Sequence, residues 1–166
     1  RTPMILENDI DMTTEDKMRN LGISSMMLDG NGHTLNVNFS SESSEGMGSN
    51  VGLFAGFNGA GNSYIREATD AEKNSPYAYT LPFNGKTYII TGGCIRNLNL
   101  TGSVYADKGT VSPLGCGQNT GYILDVTSHV DVTAAGDAYF VAGIIGFARK
   151  YNVAPPPLSP QRRCCA

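Results

Sequence analysis

Three stretches of this chain are variants of one phrase. Val51-Gly-Leu-Phe-Ala-Gly-Phe57 is followed by Ile95-Arg-Asn-Leu-Asn-Leu-Thr-Gly-Ser-Val104. Val111-Ser-Pro-Leu-Gly-Cys-Gly117 is followed by Ile123-Leu-Asp-Val-Thr-Ser-His-Val-Asp-Val132. The phrase opens again at Phe140-Val-Ala-Gly-Ile-Ile-Gly-Phe147. Each copy is a short apolar and glycine-containing run, then an alternation of large apolar and small polar residues. A repeated unit buries its apolar face against its own copies, so the chain is expected to stack β coils.

The remaining numbers narrow the class. With 166 residues there is enough chain for one domain with a real core. The charged fraction is 16% and the net charge −3, which gives no reason to expect a nucleic acid or an anionic membrane as partner. The 20 glycines and the frequent asparagines tolerate positive φ, so they read as many tight turns between short strands. No apolar run approaches the roughly 20 residues that span a bilayer. The chain begins at Arg1 without a visible signal peptide, which reads as a mature product or an excised fragment. The four cysteines fit no CxxC zinc pattern. Cys94 and Cys116 read either as buried thiols or as a staple between neighbouring coils.

Along the chain, residues 1–25 are read as an N-terminal cap and first strand, with a strand over 4–12 and a short helical turn following Thr13 or Thr14. Residues 26–153 are the coils, and 154–166 form a proline-rich tail or linker that cannot join a sheet ladder. Asp29-Gly30-Asn31-Gly32 is a strong turn signal. The strand after it places Leu35, Val37 and Phe39 on one face and Thr34, Asn36 and Asn38 on the other. Residues 61–93 interrupt the phrase and have no counterpart in the later copy. Within them Asn84-Gly85 separates two β-prone runs, as in a hairpin. Insertions of this kind leave a stack as loops and often carry its binding surface.

Leu28-Asp-Gly-Asn-Gly-His-Thr-Leu35, together with Val51-Gly-Leu-Phe-Ala-Gly56 and Ile95-Arg-Asn-Leu-Asn-Leu-Thr-Gly102, resembles the GLUG-type repeats of bacterial cell-surface and secreted proteins. The resemblance covers about residues 5–148. The first block is specific and the later copies are degenerate, with Leu124-Asp125 where the pattern has Arg-Asn or Lys-Asn. It implies an all-β, right-handed parallel β-helix, here with an inserted β-hairpin and a short N-terminal cap, on an exported protein. It places the chain outside the cell or at the cell surface.

Other motifs have simpler readings. Asp131 to Asp137 resembles the anion-hole signature of ribokinase-like sugar kinases, but Ala134 replaces the first glycine and no α/β alternation precedes it. Asp9, Asp11 and Asp29 lack the further carboxylates of a calcium loop, so Asp29 is read as the head of an Asx turn. A β-helix lyase or hydrolase needs clustered acids or an Arg/Lys base, whereas Asp107, Asp125, Asp131, Asp137 and Arg96 look scattered. His33 and His129 have no partner that spacing nominates. No catalytic residue, metal ligand or cofactor is therefore assigned. The expected function is a non-catalytic structural or adhesive module of a larger protein. Its partners would be neighbouring domains of the same chain, and a glycan or host matrix protein as ligand. The rival is a carbohydrate-active enzyme. If the module binds, the site expected is the insertion, where Tyr64, Tyr77, Tyr79 and Tyr88 lie close in sequence to Arg66 and Lys86. The alternative is that these tyrosines only pack the insertion down.

Overall fold

The structure is a computed structural model, and it describes residues 3–13, 23–24, 26–41, 50–54, 56–58, 64–115 and 118–146. The proline-rich end, Cys116 and the expected helical turn after Thr13 lie outside those residues. The strands are β1 (Met4–Ile5), β2 (Ile10–Asp11), β3 (Ile23–Ser24), β4 (Met27–Asp29), β5 (Thr34–Ser40), β6 (Asn50–Val51), β7 (Gly56–Asn58), β8 (Tyr64–Glu67), β9 (Ala78–Thr80), β10 (Thr87–Thr91), β11 (Cys94–Val111), β12 (Gln118–Thr120) and β13 (Tyr122–Val141). A single 3-10 turn, Asp70–Glu72, is the one helical element among the described residues.

Strand β11 organises the main sheet of seven strands. Along one edge it pairs in parallel with β4, β5 and β6 in turn. Along the other it pairs in parallel with β13. Strands β1 and β2 extend the sheet beyond β4 and β5. The register explains why the phrase repeats. Leu28, Ile95 and Ile123 form one row, Leu35 and Leu100 another, and Phe39, Val104 and Val132 a third. Like residues stack on like, and Leu28, Leu35, Phe39, Ile95, Leu100 and Val104 are all buried in one core. Burying each such side chain contributes about 1.5–3 kcal/mol. The expected alternation in β5 is the one observed, with Leu35, Val37 and Phe39 buried. Gly102 faces Val37 at φ +104, and a Cβ there would collide with the Val37 carbonyl oxygen, so only glycine fits that row.

The expected right-handed parallel β-helix of short coils is overturned. The described residues are all-β, but they form a parallel half-barrel with two separate three-stranded sheets, not a solenoid. Strand length is the physical reason. β11 and β13 run through 18 and 20 residues, where short coils need a corner every few residues. Glycine abundance alone reads as turns between short strands, yet Gly109 sits inside β11 at positive φ, as does Gly102 within the Ile95–Val104 alternation. The insertion also differs from a simple hairpin. β9 and β10 pair antiparallel across the Asn84-Gly85 turn, and β8 adds a third antiparallel strand on the far edge of β10. The remaining sheet is parallel, in the order β12-β7-β3.

Candidate functional site

The densest polar chemistry among the described residues lies where the insertion meets the main sheet. Its origin is a local backbone feature. Residues 96 and 98 of β11 pair with 124 and 126 of β13, and Asn97 and Asp125 lie between those pairs. Both adopt the left-handed conformation, with φ 50 and φ 54. Asn and Asp reach that region at lower cost than other side chains. The phrase therefore carries an Asn or Asp here because the backbone requires one. The two kinked positions stack on each other in adjacent strands, on the side that the insertion approaches.

Arg96 and Asp29 face each other across β11 and β4, with Nε donating to Oδ2 at 2.7 Å. Their side chains are only 5% and 11% exposed. A buried ion pair persists only when its other polar atoms are satisfied, and here they are. Asp29 Oδ1 accepts from the Asn31 N–H at 2.8 Å and from Asn97 Nδ2 at 3.2 Å. The first of these is the Asx turn expected at Asp29. Arg96 Nη1 donates to the Ala78 carbonyl at 3.1 Å, and Nη2 to the Pro76 carbonyl at 3.0 Å. Both carbonyls belong to the insertion.

Tyr79 closes the network. Its ring lies under the guanidinium, with the Arg96 carbon 5.2 Å from the ring centroid. Its hydroxyl contacts Asp125 Oδ2 at 2.8 Å and Asn97 Oδ1 at 3.2 Å. One hydroxyl proton cannot serve both acceptors, and the shorter contact to the carboxylate takes it. Burial and the Asp125 carboxylate hold the phenol well above its ordinary value of 10.0. An apolar patch of Met27, Tyr79, Ile90 and Cys94 lies beneath, flanked by Tyr77, Leu81, Tyr88, Tyr122 and Leu124. There the free Cys94 thiol is pushed up to about 12 by burial, so it is an inert core group.

The six residues expected to bind divide into two groups. Tyr79 is buried in the clasp, and Tyr77 and Tyr88 pack half-buried around it. The Tyr88 hydroxyl accepts from Asn84 Nδ2 at 3.1 Å. The backbone of Tyr64 pairs with Thr91 in β10, and its side chain lies outside the described residues. Arg66 and Lys86 meet acids of the insertion itself. Arg66 Nη1 donates to Glu72 Oε2 at 2.8 Å, and Lys86 Nζ lies 3.0 Å from Glu67 Oε2. The Arg66 hydrogen bonds, then those from the Thr69 N–H and hydroxyl, hold Glu72 far below the usual carboxylate range. Tyr79, read in sequence as a ligand contact or as packing, is buried here, and spacing did not nominate Asp29, Arg96, Asn97 or Asp125 beside it. Arg96 and Asp125, which look scattered in sequence, are joined through Tyr79. The signal that marks them is the Arg-Asn and Leu-Asp pair after each Ile of the phrase.

The Asp131 to Asp137 span lies inside β13, so no helix N-terminus follows it to bind an anion. None of the protein-family models, curated proteins or solved structures compared with this chain matches it.

Proposed function

We propose that this chain is a non-catalytic structural and adhesive module of a larger bacterial surface or secreted protein. The observation that carries the reading is the clasp. Its ionisable and hydrogen-bonding groups, Asp29, Arg96, Asn97, Tyr79 and Asp125, are spent on one another and on insertion carbonyls. A catalytic set needs its acid, base or nucleophile facing a substrate. A shape-keeping set faces inward, as Asp29, Arg96 and Tyr79 do here. The likeness of Asp29-Gly-Asn-Gly-His-Thr34 to GLUG-type repeats supports the surface setting. In this reading the insertion is the part presented to a ligand, held rigid from below by Arg96.

The test is a glycan and matrix-protein array probed with the chain, run beside polysaccharide turnover and ATP consumption assays. The module reading expects saturable binding to a glycan or matrix protein, with no turnover. Cleavage of a polysaccharide or consumption of ATP overturns it.

A further inference from the structure

The main sheet ends on a strand that is unlike an ordinary protected edge. β13 pairs with β11 on one side, and no described strand pairs with its other side. It is 20 residues long and contains no lysine, arginine or proline; its guards are Asp125, Asp131 and Asp137 and the register shifts beyond Ala134, which leave 126–134 a regular stretch with a single acid. The core beneath it is also unfinished. In β11, Ile95, Leu98 and Val104 are at most 1% exposed. Their register partners in β13, Ile123, Val126 and Val132, are only partly buried, although they pack on the same core. Val130 shares that position. At the far end Tyr139 is 66% and Val141 52% exposed.

What covers this edge must supply a strand of similar length and the missing apolar layer. The opposite end of the sheet does not match it, because among the described residues that end carries only the two-residue strands β1 and β2. A head-to-tail stack is therefore poorly served. The edge does match itself. From Val126 to Ala134 β13 is regular, and its register shifts against β11 come only after Ala134. An antiparallel pairing of two such stretches about Val130 sets Val126 opposite Ala134, Ser128 opposite Val132, and Val130 opposite itself. On the outer face it sets Thr127 opposite Thr133 and His129 opposite Asp131. Thr–Thr pairs are among the cross-strand pairs that stabilise sheets, and an imidazole N–H can donate to a facing carboxylate. The same register keeps the exposed Asp131 residues of the two copies off one another. A two-fold axis normal to the sheet keeps the inward face inward, so one core runs through both copies.

We propose that β13 is the dimerisation edge of this chain, its occupant the β13 of a second copy, paired antiparallel about Val130. His129, Asp131, Thr127 and Thr133 are all exposed in the single chain, so changing them tests association without touching the core.

Sedimentation equilibrium of the 166-residue chain, at concentrations up to about 100 µM, is the test. A closed monomer–dimer equilibrium is expected. His129→Asp places like charges opposite each other twice per dimer and should raise the dissociation constant about tenfold or more. His129→Asp/Asp131→Lys sets opposite charges across each pair and should recover most of that loss. Circular dichroism of each variant should match the parent, since both side chains are exposed. A chain that stays monomeric, or one that grows in open-ended steps, overturns the proposal. So does a dimer indifferent to His129→Asp, or one that the double change fails to restore.

Discussion

The main sheet and the insertion are both antechambers to the same clasp, yet they are held by different means. The main sheet is a set of in-register apolar rows, in whose core Val37, Leu98 and Leu100 are wholly buried. The insertion of β8, β9 and β10 buries Tyr79, Ile89 and Ile90 among its apolar residues, and its Arg66–Glu72 and Lys86–Glu67 pairs sit in water. Exposed pairs of that kind contribute little. What fastens the insertion is one apolar patch, the fork of Arg96 and the Tyr79 hydroxyl on Asp125. A row of side chains tolerates the loss of one member by partial collapse. A single fork has no neighbour to take its place.

The largest effect is expected at Arg96. Arg96→Ala leaves the Asp29 carboxylate buried without its cation, and it frees the Ala78 and Pro76 carbonyls. A loss of about 3–5 kcal/mol in chemical denaturation is expected. A main-sheet change of similar size is Leu100→Ala, which should cost about 2–5 kcal/mol as a cavity. Its effect should spread over all strands, whereas that of Arg96→Ala should concentrate in β9 and β10.

Tyr79→Phe is a milder change. It removes the hydroxyl that donates to Asp125 but keeps the ring under Arg96, and should cost about 1–2 kcal/mol. It should also change the alkaline limb. Tyr79 and Cys94 both have raised folded values, so the stability they supply is complete below their ordinary values of 10.0 and 9.0. It is lost as the unfolded chain ionises above those values. Thermal melts should therefore fall above about pH 9, and the fall should shrink in Tyr79→Phe and in Cys94→Ala.

The smallest expected effect is Glu72→Ala. Its lowered folded value means that its contribution is present at neutral pH and lost as pH falls below 4.5 toward the folded value. The global melt should barely move. Amide exchange around residues 69–75 should quicken, because the Thr69 cap and the Arg66 pair are local.

Much of the main sheet was legible because it is written in period two. Leu35, Val37 and Phe39 were assigned to one face by alternation alone, and the Asn84-Gly85 turn by its dipeptide. The long strands were not legible, since glycine inside a strand and glycine at a corner look alike in sequence. Only the pairing of Gly102 with Val37 tells them apart. The clasp was not legible either. Asp29, Tyr79, Arg96 and Asp125 meet through pairings that span 67 and 46 positions, and no short window contains them. What did show was the residue type. An Asn or Asp after each Ile-Arg or Ile-Leu was visible, and its cause is the left-handed backbone at Asn97 and Asp125.

The Arg96 fork is the strongest polar tie between the insertion and the sheet. Native-state hydrogen exchange of Arg96→Met, compared with the parent chain, tests it most directly. The account predicts that the Tyr79, Tyr88 and Ile90 amides lose far more protection than those of Val37 and Leu100, as the insertion opens by itself. Equal loss across the insertion and β5, or no loss in either, would contradict it.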